Sequence, residues 1–480
     1  MDYKKYSDLQ YDSRKVTKDS IFVAIRGIKM DGHDFIEKAL ELGASLIVLH
    51  EEIYQTQKNY YDELFKKHNA QFETCQDGRL KLAEISHEFF GKASEKLGLI
   101  GITGTNGKTT VTHLVQDLLD DCAILGTMGL RKSPQDEYQD QGNTTPQNRE
   151  VHAIIRNIVD ENFKYLAMEV SSHALDQYRV ACLNFKYTIV TNLTQDHLDY
   201  HKTMENYFEA KAKIFSQGTK YAILNMDDEY FEKFKAKALE QKLEVITIST
   251  KDESATYFAK DIKFSSAGLT YNLVANNESV KIQTKLNSLF NVYNSLSAIA
   301  VANLEGLSLN QISEKFASLN VVPGRFEVVK EVNTPMCIVD YAHSPDGLLN
   351  VLQGAKALVE ADTKLICVFG CGGDRDITKR PLMGKIAFDH ADMLYVTSDN
   401  PRSEDPDRII ADILTGLPNL DKAKVIVDRA EAIKAAINDS RPQDIIVIAG
   451  KGHENYQILA NETIHFDDRE EVLKAFKTLA

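Results

Sequence analysis

The chain has 480 residues, 43% apolar and 26% charged, which is ordinary globular composition and enough length for roughly two to four domains with buried cores. A formal net charge of -14 argues against nucleic acid or an acidic membrane surface as the main partner, so any anionic ligand must be gripped by local groups. The six cysteines, at 75, 122, 182, 337, 367 and 371, form no paired C-x-x-C spacing and fit reduced thiols better than a disulfide framework. The polar start MDYKKYSDLQ and the lack of an apolar run near the ~18 residues of a membrane span lead to the expectation of a cytoplasmic protein without membrane insertion.

In chain order, β-rich runs at 21–25 and 44–49 bracket a helical stretch, 35–42, for which Gly43 is a fitting C-cap. The polar, tyrosine-rich segment 51–76 breaks that pattern, and a helical stretch, 80–90, follows it. Strands at 97–102, 165–170, 187–190 and 221–224 then alternate with helices, which predicts a parallel sheet with crossover helices. Residues 253–284 alternate in polarity and read as an antiparallel edge, followed by helices at 291–305 and 309–317. After Val322-Pro323-Gly324 the alternation resumes, with strands at 336–339, 364–369, 393–397, 424–427 and 444–449. The expected fold is α/β in three domains: a small N-terminal unit (1–90), a central P-loop-type, mostly parallel sheet (91–323) and a Rossmann-like C-terminal unit (324–480).

Chemistry concentrates where strands end. GITGTNGKTT, residues 101–110, has the strand, glycine turns and helix start of a phosphate loop, although Ile102 stands where the strict G-x-x-x-x-G-K-[ST] pattern wants glycine. Lys108 would meet the outer phosphates and Thr109 a magnesium ion. Glu169-Val170-Ser171-Ser172-His173 follows one strand and Thr191 to His201 another, so metal-capable groups crowd beside the loop. In the last unit, the segments beginning at Asp340, Gly370, Ser398 and Ala449 follow four strands and point to one shared crevice, where Arg375 and Arg402 suit a carboxylate.

Together these segments resemble the Mur ligases, ATP-dependent amino-acid ligases of peptidoglycan precursor synthesis, from Tyr11-Asp12-Ser13-Arg14 to Glu454. Thr103 to Thr110 matches the family's shortened phosphate loop, which accounts for Ile102. The resemblance implies ATP contacts at Gly104, Thr105, Asn106, Gly107, Lys108, Thr109, Thr110, Asn291, Asn294, Arg325, Asp340, His343 and Asp346. It is similar in particular to the branch that adds the third residue of the stem peptide, whose N-terminal domain binds the UDP end of its substrate. That implies a UDP-MurNAc-dipeptide site with Ser13, Asn143, Thr144, Thr145, Ser171, Gln177 and Arg179. The 205–211 segment matches the place of a carbamylated lysine, so Lys211, as its carbamate, would join Thr109, Glu169 and His197 around Mg2+, with Lys108, Lys211, Glu169 and His197 as the catalytic group.

Asp399-Asn400-Pro401-Arg402 resembles the tetrapeptide of branches that select meso-diaminopimelate, whose second carboxylate would pair with Arg402. Arg375, Asp399, Asn400, Gly450 and Glu454 would complete that pocket. The implied activity is ATP-dependent ligation of meso-diaminopimelate to the D-glutamyl γ-carboxylate of UDP-MurNAc-L-Ala-D-Glu by a monomer that works on small molecules alone. The rival readings are a lysine-adding relative, a folylpolyglutamate synthetase-like ligase and a regulator that binds nucleotide without ligating.

Overall fold

A computed structural model describes residues 2–27, 30–265, 267–319, 321–360 and 362–479. Three separate sheets organise them, with a short hairpin, Tyr456–Ile458 and Thr463–His465, beside the last. The first sheet holds four parallel strands, Leu9–Gln10, Ser20–Val23, Ala44–His50 and Gln71–Cys75. The polar segment 51–76 departs from expectation, because it folds as two helices, Glu51–Thr56 and Lys58–His68, and an edge strand. Its few apolar groups are enough: Tyr54, Tyr61, Leu64 and Phe65 are buried, and Phe72 stacks on Phe65 at 5.0 Å and meets Tyr54 at a tilt, 4.8 Å between ring centroids. The helix expected from Phe35 begins at Ile36 after a 3-10 turn, Gly32–Phe35, that Asp31 caps.

The second sheet has ten strands with Gly98–Thr103 inside it, flanked by Phe185–Val190 and Tyr165–Glu169. Pairing is parallel from Cys122–Gly126 across to Tyr257–Ser265 and antiparallel at both edges. Helices cover both faces, which is why Leu99 to Thr103 reads as a continuous buried run rather than an alternating one. One of the covering helices, Leu289–Leu304, is buried through most of its turns, and its second half is apolar nearly all round. The third sheet has six strands in the order Glu327–Val329, Met336–Asp340, Ile445–Ala449, Leu365–Phe369, Met393–Val396, Ala423–Val425, parallel except for the first pair. All six cysteines are free thiols. Among the described residues, no helix is long and apolar enough to cross a membrane.

Candidate active site

The strand Gly98–Thr103 runs straight into a four-residue loop, 104–107, and the helix Lys108–Leu118. Ile102 is fully buried in that strand, so the turn starts two residues after the position where the longer motif places its first glycine. Gly104 and Gly107 have φ of +144° and +87°, a region costly to any residue with a Cβ. A Cβ at Gly104 would collide with the Thr191 hydroxyl, and one at Gly107 with the Asn294 amide. The loop backbone is held from the neighbouring strand end: Asn106 N donates to Asn192 Oδ1 at 2.9 Å, and Thr191 Oγ1 donates to Asn106 O at 2.6 Å. Gly104→Ala should therefore destabilise the protein by about 1–3 kcal/mol and abolish nucleotide binding, read by thermal unfolding and nucleotide titration; an unchanged melting curve with unchanged binding would defeat it.

Two lysines converge on this turn. Lys108 Nζ donates to the carbonyls of Gly104 and Thr105, each at 2.9 Å, and Lys211 Nζ donates to the same Gly104 carbonyl at 2.9 Å. Lys211 is 1% exposed, near the end of the helix Met204–Ala212, with its ammonium 4.6 Å from the Tyr207 ring centroid. Burial, and then the charge of Lys108, push the Lys211 pKa well below that of a free lysine. Glu169, buried at its strand end, accepts from Thr127 N and Thr127 Oγ1, both at 3.0 Å. His197 stands at φ +54° in the next strand-end loop, 3.5 Å from Asp196 Oδ2 and edge-on to His173. Desolvation outweighs Asp196 and lowers the His197 pKa, so its imidazole is neutral at pH 7. Among the described residues, no group of three or more His, Cys, Asp or Glu side chains is arranged to hold a metal ion by itself.

Arg179 reaches across the second strand end, donating to Thr145 O at 3.0 Å and to Gln177 Oε1 at 2.8 Å. Thr145 Oγ1 donates to Glu169 O and accepts from Ser171 N, while Thr144 Oγ1 lies 3.1 Å from Thr127 Oγ1. Hydroxyl, amide and guanidinium groups thus line one wall next to the phosphate loop.

The third sheet supplies the opposite wall and touches the loop directly. Asn106 Nδ2 donates to Asp346 Oδ2 at 2.7 Å, and Arg325 Nη2 donates to Thr109 Oγ1 at 2.9 Å while lying 4.5 Å from the Tyr341 ring centroid. Asp340 receives Phe326 N and Ala342 N on its two oxygens, and burial raises its pKa to about 6. His343, exposed, sits on the same strand-end segment. Asn291 and Asn294, one turn apart on their helix, are joined by an amide hydrogen bond of 3.0 Å.

Further along this wall, Arg402 has φ +53° and donates from Nη1 to Gly373 O at 2.8 Å. Asn400 Nδ2 donates to Glu454 Oε2 at 2.9 Å, and Asp399 Oδ1 accepts Asn400 N at 2.6 Å. Gly450, at φ +125°, leaves room for the Asp399 carboxylate. Arg375 is exposed, with a weak bond to Asp374 O at 3.4 Å.

All these walls enclose one cavity of about 1000 Å³. Most of the residues singled out from the sequence line it, from Thr105 to Thr110 through Arg179 and His197 to Arg375, Arg402 and Glu454. Gly104, Lys211, Asn291 and Gln177 stand just behind it, each bonded to a lining residue or to the loop. Ser13 lies apart on the first sheet's unit, buried after the Asp12 cap. That unit has its own smaller cavity of about 140 Å³, lined by Arg26, His33, His50, Asp77 and Arg79 among others. Sequence reasoning missed Thr127 and Asp227 as lining residues. Asp227 accepts from Tyr293 OH and Ser249 Oγ two residues after the strand Tyr221–Asn225, a strand-end position that was the available signal.

A phosphate loop on a parallel sheet, facing a second α/β sheet across one polar cavity, is the arrangement expected of an ATP-dependent ligase of the three-domain kind. The chain belongs to the Mur ligase family: residues 5–89 match the Mur ligase family catalytic domain, 102–302 the Mur ligase middle domain, and 324–452 the Mur ligase glutamate ligase domain. It is 41% identical over 478 residues to the UDP-N-acetylmuramoyl-L-alanyl-D-glutamate--2,6-diaminopimelate ligase of Syntrophomonas wolfei, covering 97% of this chain and 94% of that one. A solved UDP-N-acetylmuramoyl-L-alanyl-D-glutamate--2,6-diaminopimelate ligase superposes with a TM-score of 0.71 at 34% identity, covering 99% and 95% of the two chains. The MurF ligase of Thermotoga maritima in complex with ADP shares the fold at 17% identity, with a TM-score of 0.62 and coverage of 100% and 98%.

Proposed function

We propose that this protein joins meso-2,6-diaminopimelate to the D-glutamyl γ-carboxylate of UDP-MurNAc-L-Ala-D-Glu at the expense of ATP, in peptidoglycan precursor synthesis. The observation that carries the acceptor is Arg402 on the wall of the same cavity as the phosphate loop. The glutamyl carboxylate oxygen attacks the γ-phosphorus of ATP, releasing ADP and leaving an acyl phosphate. The acceptor amine then attacks the acyl carbon, phosphate departs with the C–O bond electrons, and the nitrogen loses a proton to give the amide. Phosphate leaves readily, whereas the free carboxylate oxygen does not.

In this reading the loop 104–110 cradles the triphosphate by backbone N–H groups and the helix start, with Lys108 on the outer phosphates. Asn291, Asn294, Arg325, Asp340, His343 and Asp346 serve the nucleotide. Asn143, Thr144, Thr145, Ser171, Gln177 and Arg179 hold the dipeptide, and the small cavity beside His33, with Ser13 on the same unit, takes the uridine end. Arg375, Asp399, Asn400, Arg402, Gly450 and Glu454 take the acceptor.

The donor set fits a magnesium ion that keeps waters and phosphate oxygens as ligands, since such a site needs only one or two protein groups. Glu169 and Lys211 as its carbamate would hold it, with Thr109 and the neutral His197 beside them, and when bound it would supply neutralisation of charge on the transferring phosphoryl group. Burial that lowers the Lys211 pKa favours its free amine, the form that reacts with CO2 to give a carbamate and a proton; the resulting anion would lie beside Lys108. The units of function are read as residues 1–90, 91–323 and 324–480 of a single chain, a monomer.

The test is ligation with ATP, magnesium, the dipeptide precursor and a panel of amino acids including meso-diaminopimelate, lysine and glutamate, followed by product mass and phosphate release. Diaminopimelate alone should be added efficiently. Lysine added equally well would defeat the acceptor assignment, and phosphate release with none of them would defeat the ligase reading.

A further inference from the structure

Lys451 is a lysine that the proposed chemistry leaves without work. Its side chain is 0% exposed and is absent from the cavity wall, while its neighbours Gly450 and Glu454 are on that wall. Burying an ammonium is costly unless it is paired and hydrogen-bonded. Here Nζ donates to Asn400 Oδ1 at 3.1 Å and to Glu454 Oε2 at 3.3 Å, with the Tyr456 ring centroid 5.7 Å away.

These contacts fix more than the lysine. Asn400 Oδ1 also accepts from Ile458 N at 2.9 Å, so two donors define which end of the amide is oxygen. The Nδ2 end must then face Glu454, to which it donates at 2.9 Å. The bonds from Asn400 and Lys451 both fall on Glu454 Oε2.

We infer that Lys451 is a positioning residue for the acceptor amino acid, pairing the Glu454 carboxylate from behind the pocket without touching substrate. This rests on the acceptor-pocket reading above. The electrostatics agree with the geometry. Desolvation raises the Glu454 pKa, the carboxylate of Asp399 pushes the same way, and Lys451 opposes them. Arg429, Tyr341, Tyr456 and Asp399 complete the titratable groups that sense Glu454. Of these, Lys451 is the cation in direct contact with its carboxylate. Losing that ammonium leaves Glu454 protonated to a higher pH, where it no longer pairs with an acceptor ammonium.

The experiment compares K451M, E454Q and the double variant K451M/E454Q by steady-state kinetics for all three substrates across pH. K451M should raise KM for diaminopimelate at least tenfold and move the acid limb of kcat/KM for diaminopimelate to higher pH. KM for ATP and for the dipeptide precursor should stay within twofold. An unchanged acceptor KM, or equal losses for all three substrates, overturns the inference. If E454Q itself leaves the acceptor KM unchanged, the pocket assignment fails instead. The double variant leaves no unpaired buried charge, so it reports even if K451M alone does not fold. Adding K451M to E454Q should raise the acceptor KM less than threefold further; a threefold or larger rise shows another route of action and overturns the inference.

Discussion

Lys108→Ala should lower kcat by about 10²–10³-fold, the loss typical of removing one preorganised donor from developing negative charge. Lys108 Nζ rests on the Gly104 and Thr105 carbonyls, at the mouth of the helix that would receive the phosphates. Carbonyls are weak partners for an ammonium compared with a triphosphate, so its move to the nucleotide is favourable and strengthens as charge builds on the transferring group. Lysine to alanine removes that term while the loop backbone, tied through Thr191 and Asn192, stays in place. The measurement is phosphate release with all three substrates present, alongside nucleotide affinity and the melting temperature. A variant with full turnover would refute the assignment of this loop.

Arg402→Ala should lower kcat/KM for diaminopimelate by about 10²–10³-fold and leave the slow use of lysine unchanged, so that discrimination between the two collapses. Diaminopimelate carries a second amino-acid head whose carboxylate a guanidinium can bind with two parallel bonds; lysine has no group to lose. Arg402 now spends its Nη1 on Gly373 O, a neutral carbonyl that a carboxylate readily outcompetes. Arg402→Lys should recover little, because an ammonium cannot reproduce the planar fork. Competition kinetics with both amino acids in one mixture read this directly, and a selectivity ratio that stays put would sink the argument.

Much of this site was legible before any coordinates, for a physical reason. In parallel α/β sheets the ligand side is the C-terminal end of the strands, so polar and glycine-rich residues after an apolar run mark the cavity wherever the strands lie in sequence. Asp340, Gly370, Ser398 and Ala449 each begin such a segment, and their strands are neighbours in one sheet. What stayed hidden was set by contacts distant in sequence. Without the family resemblance, nothing near Lys211 distinguishes it from the half-buried Lys213 in the following turn, yet Lys211 alone of the two turns inward to a carbonyl 107 residues away. The segment 51–76 was unreadable for a similar reason, since its amphipathic faces hold only a few aromatic anchors among many charges. Thr127 becomes a partner of Glu169 only once Cys122–Gly126 lies beside Tyr165–Glu169 in the sheet.

The bonds from Asn106 to Asp346 and from Arg325 to Thr109 join the phosphate loop to the third domain. If the same loop receives ATP, as proposed, nucleotide affinity and the docking of that unit are linked equilibria, and each must alter the other by the same factor. On the proposed function, Asp346 and Arg325 would couple the filling of the loop to the docking of the unit that carries the proposed acceptor residues. A substitution such as Asp346→Ala, which removes the bond to Asn106, would then be expected to change nucleotide affinity.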